Sequence, residues 1–350
     1  MPDPSPWTIR PYHPGDERGL VKLFAEVFGR TLTEDSWRWK LQREATPDNV
    51  WLALSGERPV FQYGGIPMRF WLAQAPASTM VAVDAMTAPA FRRRGLLTEV
   101  VDRAHAAWRQ QGVAFVLGLP NEQWGSRIRA VGWQPLLSLQ WLVRPLRPEA
   151  LLARRMRMPL LRRATLPAGL WNRLLQRRLR REPQILTETI EQADESFDRL
   201  WERCRSDWMF STVRDRSWVN WRFLASPARK YELTLARRSG EPVGYTAHRL
   251  IETDGRVSAH LAELFAADTD PAARNALLFD LIEKLLAVKA QALVTLAVRG
   301  TPLFRWLRGA GFHAGRGFVV HMVPLQEDLP MGSLLQPQHW NLSGADFDVI

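Results

Sequence analysis

Three arginines and a glycine, in the run Arg92–Gly95, are the residues best suited to chemistry in this sequence. The run stands between a stretch typical of a β-strand and a stretch typical of an α-helix. A turn of this kind aims several backbone N–H groups and the positive end of the helix dipole at one point, and glycine lets an anion approach the backbone. The arginines add charge for a pyrophosphate or a ribose phosphate. The run therefore predicts a phosphate-binding loop, with a solvated basic turn as the alternative.

Other residue types that commonly carry chemistry show no useful spacing. The seven histidines form neither a metal-ligand pattern nor a pair with a serine or cysteine nucleophile. His105 is expected on the surface or half-buried. The single cysteine, Cys204, excludes an internal disulfide and a cysteine-built metal site, and we expect it to be a small buried hydrophobe. The sequence therefore predicts no metal centre.

Length and composition indicate a protein of two domains. A chain of 350 residues exceeds what one core usually supports, and 46% hydrophobic with 24% charged residues is typical of globular proteins. The first residues show no basic stretch followed by an apolar one, and no run approaches the ~20 apolar residues of a membrane span. We therefore expect a cytoplasmic protein.

Almost all of the net charge lies in one segment. The formal net charge is +11, and residues 147–181 contain eleven arginines, no lysine and one acid, which leaves +10 in that segment. Around residues 170–180, leucines lie on one helical face and arginines on the other. Three interpretations stay open: a connector helix that packs on the domains, contact with an anionic membrane surface, or binding of RNA. Nucleic acid is the least favoured partner because the segment has little aromatic interleaving and no nucleic-acid motif.

The sequence repeats itself. Residues 122–133 end in a glycine–aromatic pair that returns in residues 301–312, and the strand-like run 113–119 returns at 292–298, both at an offset of 179 (311 − 132). Because the order and spacing of several such pairs are kept, we predict two copies of one domain. The predicted boundaries are 1–146 for the first domain, 147–185 for the connector, 186–326 for the second domain and 327–350 for a tail.

Each copy predicts the same elements. Two strands around a turn are followed by a third strand that leads into a fourth, a long amphipathic helix, a buried fifth strand, a short helix and a last strand. In the first copy the long helix covers 96–111 and the buried strand covers 113–119. A strand, a helix and a strand in that order imply a crossover between parallel strands. We therefore predict an α/β (α+β) fold in which each domain has a mixed, largely antiparallel sheet flanked by helices.

The first copy resembles the GNAT superfamily of acyl-CoA-dependent N-acyltransferases over most of residues 7–146. The family loop is Gln or Arg, two variable residues, Gly, one variable residue, then Gly or Ala; Arg92 and Gly95 match it, and Leu97 departs from the small last residue. The resemblance implies an acyl-CoA co-substrate, with acetyl-CoA favoured. The cofactor-binding residues that it implies are Met86, Thr87, Arg92, Arg93, Arg94, Gly95, Leu96, Leu97 and, at the end of the fifth strand, Asn121.

Acyl transfer from a thioester to an amine needs a base for the amine and an acid for the leaving thiolate. Asp84, on the strand expected to face the pantetheine arm, is the first base candidate, and a partly exposed strand carboxylate that pairs with a nearby arginine is its alternative interpretation. Glu122 and Glu263 are weaker candidates. The family often has a tyrosine as the acid seven residues after the asparagine, and Ile128 stands there in this sequence. Water or another side chain such as Tyr63 would then donate the proton.

The second copy departs from the loop pattern. At the offset of 179, Pro271 replaces Arg92 and Arg274 replaces Gly95, so a backbone donor is lost and a bulky side chain stands in place of the glycine. We therefore expect a second domain without the cofactor. The polar stretch 338–350 has two interpretations: a disordered end, or a tail similar to the Trp-then-Asp tails of GNAT-like proteins encoded with bacterial surface-polysaccharide genes.

These observations predict an N-acyltransferase that works by direct attack in a ternary complex. The acceptor is predicted to be a small amine, with an amino sugar in polysaccharide assembly as the leading choice. Two alternatives stay open. An aminoacyl-RNA-dependent transferase would use the basic segment to hold RNA, and a non-catalytic binding or scaffold protein is favoured by Ile128 and Leu97.

Overall fold

The computed structural model of the chain describes residues 7–43, 48–120, 127–147, 179 and 182–347. Spatial contacts divide the chain into two compact units. Unit 1 contains Met1–Leu137, Ser226–Ala228 and Val319–Leu335, and unit 2 contains Ser138–Ala225, Arg229–Phe318 and Gln336–Ile350.

The described residues form both strands and helices. Up to residue 130 these are β1 (Thr8–Pro11), α1 (Glu17–Phe28), α2 (Glu34–Leu41), β2 (Val50–Ser55), β3 (Arg58–Leu72), β4 (Ala75–Thr87), α3 (Leu96–Gln110), β5 (Val113–Gly118) and α4 (Arg127–Ala130). After that they are β6 (Gln134–Pro145), β7 (Ile185–Ile190), α5 (Glu195–Cys204), β8 (Phe210–Thr212), α6 (Arg216–Val219), β9 (Glu232–Arg238), β10 (Glu241–Thr253), β11 (Arg256–Ala266), α7 (Pro271–Ala287), β12 (Ala292–Val298), α8 (Pro302–Gly309), β13 (His313–Pro324), α9 (Met331–Leu334) and β14 (Trp340–Asn341).

The sheet of unit 1 is mixed and largely antiparallel. Its strand order is β1-β2-β3-β4-β5-β13, and β4 and β5 form the parallel pair. Helix α3 connects these two strands. Residues three and four apart share one face of a helix, so α3 buries an apolar stripe made of Leu96, Val100, Val101, Ala104 and Trp108. The parallel pair and its connecting helix confirm the strand–helix–strand prediction.

Unit 2 repeats this order of elements. Its sheet runs β6-β12-β11-β10-β9-β7, and β11 and β12 form the parallel pair. Helix α7 connects them, and its buried leucines and isoleucine pack into the core of the unit. The predicted fold class, a mixed and largely antiparallel sheet with helices, is confirmed.

The last strand of each sequence copy pairs with the fifth strand of the other copy. Residues 139–145 of β6 pair with β12, and residues 321–324 of β13 pair with β5, both antiparallel. The predicted domain boundaries follow sequence similarity, whereas the two units follow spatial contacts. The two divisions therefore differ at β6 and β13.

Three expectations about single features have different outcomes. Cys204 is buried, as predicted. The expectation that His105 is on the surface or half-buried is wrong, because its side chain packs among aromatic rings and the residue is only 6% exposed. The interpretation of a disordered end is wrong for residues 338–347, since Trp340 and Asp346 are buried in unit 2.

The basic segment falls almost entirely outside the described residues. Of residues 147–181 the structure describes Arg147 and Leu179, and Leu179 is buried. Contact of this segment with a membrane or with RNA therefore stays a prediction. None of the helices in the described part of the chain has the length and apolar character needed for a membrane crossing. Within those same residues, no three histidine, cysteine or acidic side chains are grouped so that they could hold a metal ion.

Candidate active site

A cleft of about 420 Å³ lies in unit 1 where β4 ends and α3 begins. Apolar residues of α1 and β3 form part of its wall, and the loop between β4 and α3 forms the rest. Seven of the nine residues predicted to bind the cofactor line this cleft: Met86, Thr87, Arg92, Arg93, Gly95, Leu96 and Leu97. The structure thus brings most of the predicted binding set to one place.

Strands β4 and β5 diverge next to the cleft. Their parallel pairing ends at the partners Val81 and Leu117, whereas β4 continues to Thr87. On its other side β4 stays paired with β3 up to Thr87. Among the described strands, none pairs with the free edge of β4 beyond Val81. This edge therefore offers backbone N–H and C=O groups to a ligand that carries amides.

The first turn of α3 points unpaired backbone donors toward the same cleft. Gly95 is the N-cap with φ +87°, and no side chain in the described chain caps this turn. The first helical hydrogen bond runs from the N–H of Glu99 to the carbonyl of Gly95, so the N–H groups of residues 96–98 come before it. A side chain at Gly95 would meet open space. Glycine is needed there for its left-handed backbone conformation.

The arginines of the loop have different surroundings. The Nε of Arg92 donates to the carbonyl oxygen of Thr87 at 3.2 Å, which ties the loop to the end of β4. Arg93 has φ +64° and lines the cleft. The guanidinium of Arg94 lies over the ring of Phe91, 5.4 Å from its centroid, and Arg94 does not line the cleft. Arg92 and Arg93 are therefore the cations placed for an anionic ligand.

Asp84 forms a nearly buried ion pair. Its Oδ2 lies 2.9 Å from the Nζ of Lys40, and the two side chains are 10% and 7% exposed. Asp84 itself does not line the cleft, but it directly precedes Ala85, which does. Asp84 is thus in an ion pair, with a lysine as the partner where an arginine was expected, and it is nearly buried where partial exposure was expected. Lys40 is the residue that sequence reasoning missed.

The backbone at Asp84 is strained. Asp84 has φ +49°, a conformation that residues other than glycine rarely adopt, and the β3–β4 register shifts at this point. The side chain of Gln62 donates to the carbonyl oxygen of Asp84 at 3.2 Å and accepts from the indole N–H of Trp37 at 2.9 Å. Strain that neighbouring contacts maintain is common at functional sites.

Tyr63, the alternative proton donor, lies in the core. Its hydroxyl is 3.0 Å from Nε2 of His105, and its ring stacks on Trp108. Burial raises the pKa of Tyr63 far above its ordinary value. Burial, with a smaller contribution from Arg109, lowers the pKa of His105 to about 4. Because Tyr63 is fully buried and does not line the cleft, the structure argues against it as the acid.

The remaining candidates fall elsewhere. Asn121 and Glu122 lie outside the described residues. Ile128, in place of the family tyrosine, is half-buried on α4. Glu263 is 1% exposed in the core of unit 2 and paired with Arg214, so the suggestion that Glu263 is a base is wrong.

The family model of the acetyltransferase (GNAT) domain matches residues 8–136, which contain the cleft, the loop and Asp84. Residues 8–136 of the chain are therefore similar in sequence to the GNAT acetyltransferase domain. No curated protein matches the chain by sequence.

Solved structures of N-acyltransferases are similar to nearly the whole chain. A conserved protein from Enterococcus faecalis, named a probable N-acyltransferase, has a TM-score of 0.67 at 14% identity and covers 91% of this chain and 73% of its own. A GCN5-related N-acetyltransferase from Anabaena variabilis has the same TM-score and coverage at 9% identity. Another GCN5-related N-acetyltransferase, from Kribbella flavida, has a TM-score of 0.61 at 12% identity and covers 90% of this chain and 70% of its own.

At these identities the similarity concerns the fold. The match to the GNAT acetyltransferase domain supports an acyltransferase enzyme. GNAT acetyltransferases use an acyl-CoA as co-substrate. An acyl-CoA is therefore the class of ligand to compare with the residues that line the cleft.

Proposed function

We propose that this chain transfers an acyl group, with acetyl favoured, from acyl-CoA to a small amine in the unit 1 cleft. The observation that carries the proposal is the first turn of α3. Its N–H groups have no capping side chain in the described chain, and they lie beside two loop arginines in an open cleft. A helix N-terminus of this kind binds a diphosphate through its donors and its dipole.

The free edge of β4 supports the same ligand. A coenzyme A molecule has a diphosphate joined to a pantetheine arm that contains two amides. The loop and helix donors suit the diphosphate, and the backbone of Met86 and Thr87, beyond the last β4–β5 pair, suits the amides. The thioester of the bound acyl-CoA supplies the activated acyl carbon.

The chain's own residues then act on the amine. Asp84 is proposed to accept, directly or through a water molecule, the proton that the amine loses as its nitrogen bonds to the acyl carbon. Lys40 holds the Asp84 carboxylate in position at 2.9 Å. The C–S bond breaks, and the leaving thiolate takes a proton from water, since Tyr63 is buried away from the cleft.

The acceptor is proposed to be a small amine, with an amino sugar as the leading candidate. Phe28 lines the cleft and is 36% exposed, and Val27 lies beside it. An exposed aromatic ring offers a flat apolar face, and the C–H face of a sugar ring can pack on such a face. This surface supports an acceptor that has an apolar face, such as a sugar ring.

Titration calorimetry with acetyl-CoA, coenzyme A and a long-chain acyl-CoA tests the binding step. The variant Gly95→Glu places a carboxylate where the diphosphate is expected, and we expect at least ~10-fold weaker binding, or ~1.4 kcal/mol. Gly112→Glu is the matched control, because Gly112 also has a positive φ and open space but lies after the other end of α3. Equal effects of the two changes would contradict the proposal.

A turnover assay with a panel of small amines tests the chemistry. Release of free thiol should depend on both acyl-CoA and an amine, and amino sugars should be among the best acceptors. Tight binding of acyl-CoA without turnover of any amine would favour the non-catalytic alternative. If RNA stabilises the protein and none of the acyl-CoA molecules does, the aminoacyl-RNA alternative is favoured.

A further inference from the structure

The parallel strands of unit 2 diverge as those of unit 1 do. Strands β11 and β12 pair over residues 259–261 and 293–295, but β11 continues to Ala266 and β12 to Val298. In unit 1 the corresponding divergence of β4 and β5 adjoins the proposed acyl-CoA cleft. Unit 2 therefore has the strand geometry for a second cleft of the same kind.

The divergence in unit 2 is occupied by the chain itself. We call residues 336–347 the tail segment. Ser343 of this segment forms an antiparallel bridge with Ala297 of β12, and its hydroxyl donates to Oε2 of Glu263 in β11 at 3.0 Å. One residue of the tail segment thus contacts both diverging strands.

The tail segment is anchored by buried charges. Arg214 lies between two carboxylates, with its Nη2 2.6 Å from Oδ2 of Asp346 and its Nε 3.1 Å from Oε2 of Glu263. All three side chains are at most 1% exposed. Arg222 donates to the carbonyl oxygens of Ala345 and Phe347 at 2.6 and 3.0 Å. Two arginines of unit 2 therefore hold both the side chain and the backbone of the segment.

Apolar side chains of the tail segment fill the remaining space. Trp340 and Leu342 are 1% and 3% exposed, and Trp340 pairs through its backbone with Phe210 of β8. A cavity of about 10 Å³ remains beside Trp340 and the end of β11, which is room for about one water molecule. The cleft in unit 1 has about 420 Å³.

The anion position of unit 2 is also occupied. Asp270 is the N-cap of α7, and its carboxylate accepts from the N–H of Ala273 at 3.1 Å. Arg274, at the place of Gly95, is buried and donates to the carbonyl of Ala267 and to Asp268. The first turn of α7 thus has an internal carboxylate as its cap, whereas the first turn of α3 has no side-chain cap in the described chain.

From these contacts we infer that the tail segment is a built-in occupant of the unit 2 cleft and binds where an acyl-CoA would bind in unit 1. The segment replaces the pantetheine arm between the two strands, and Asp270 replaces the diphosphate at the helix. Unit 2 then takes no acyl-CoA, and the chain has one acyl-CoA site. The occupancy of this cleft does not depend on which reaction unit 1 performs.

A cut in the folded chain tests this inference. A protease recognition sequence is inserted between Leu335, which is 53% exposed, and Gln336, and the purified full chain is then cleaved. We expect the fragment that begins at Gln336 to stay with the rest of the chain through gel filtration. A labelled peptide of residues 336–350 should exchange into the cleaved protein at one peptide per chain, and a scrambled peptide of the same composition should not.

Hydrogen exchange on the uncut chain gives a second measurement that needs no variant. The backbone N–H groups of residues 341–346 should exchange roughly 100-fold or more slowly than those of the free peptide, because they are buried in the unit. Immediate loss of the fragment from a protein that stays folded would overturn the inference. Exchange of these groups at free-peptide rates, or two acetyl-CoA molecules per uncut chain, would also overturn it.

Discussion

Helix α3 in unit 1 and helix α7 in unit 2 each connect the parallel strands of their unit, but their first turns differ. Gly95 starts α3 without a side-chain cap among the described residues, next to exposed arginines. Asp270 caps α7 with its own carboxylate and also pairs with Arg238 at 2.9 Å. The two helices thus satisfy the same need for negative charge, one with a proposed ligand and the other internally.

The strands beside these helices show the same contrast. Asp84 in unit 1 pairs with Lys40 next to an open cleft, whereas Glu263 in unit 2 pairs with Arg214 beneath the tail segment. A repeated fold can therefore keep its geometry while one copy exchanges ligand binding for internal packing. Variants can test whether each contact belongs to binding or to stability.

The largest effect is expected at Arg214. Arg214→Met leaves Glu263 and Asp346 buried side by side without their cation, and breaking a buried pair in this way costs about 3–5 kcal/mol. Arg216→Met is the matched control, because Arg216 and its partner Asp198 are 52% and 38% exposed, and exposed pairs contribute about 0–1 kcal/mol. Urea unfolding measures both. Equal losses would show that the buried cluster does not hold the tail segment.

A smaller effect, on activity, is expected at Asp84. Asp84→Asn removes the proposed base, and loss of general base catalysis lowers kcat by about 100-fold or more. The variant Glu263→Gln should leave kcat unchanged, since Glu263 is buried in unit 2. Steady-state kinetics compare the two. An unchanged kcat for Asp84→Asn would remove Asp84 from the mechanism.

The next effect concerns pH. Burial, followed by the nearby Asp346, raises the pKa of Glu263 to about 7, although Arg214 and the Ser343 hydroxyl oppose this. In the unfolded chain the proton is lost near pH 4.5. Between these values the folded state binds more protons, so Glu263 lowers the free energy of unfolding as pH rises, by up to about 1.4 kcal/mol per pH unit.

Glu263→Gln should remove this contribution. The stability of the variant relative to the original chain should therefore rise between about pH 5 and pH 7. His105 in unit 1 contributes with the opposite sign: its pKa is lowered from 6.5 to about 4, so the stability it adds above pH 6.5 is lost as pH falls. The difference in the free energy of unfolding between the variant and the original chain cancels the contribution of such groups and leaves that of Glu263. A difference that stays constant with pH would contradict this assignment.

The smallest effect tests the cap of α7. Asp270→Ala should cost about 1 kcal/mol through the lost N-cap, because the pair with Arg238 is partly exposed and adds little. The variant should still bind one acetyl-CoA molecule per chain, since Arg274 and the tail segment still occupy unit 2. Asp194→Ala, at the N-cap of α5, is the control with a similar loss of stability. A second binding event in Asp270→Ala alone, measured by calorimetry, would mean that this carboxylate is what excludes the ligand.

The sequence by itself determined the local parts of this molecule. Helical spacing from Leu96 onward predicted α3, and an apolar run after Gly112 predicted β5, because such patterns depend on neighbouring residues. The loop Arg92–Gly95 was predictable for the same reason. A further clue was present in α2, where Lys40 stands on the same buried face as Trp37, and a buried lysine requires a partner.

The tertiary structure decided which distant residues meet. Asp84 and Lys40 are 44 positions apart, and Arg214 and Asp346 are 132 apart. No spacing within one element encodes such pairs. The exchange of β6 and β13 and the burial of the tail segment depend on long-range strand pairing. A repeated sequence does not determine which copy a last strand pairs with, because both copies offer a similar strand edge. Local periodicity thus predicts the elements, whereas long-range packing selects the contacts that leave one cleft open and fill the other.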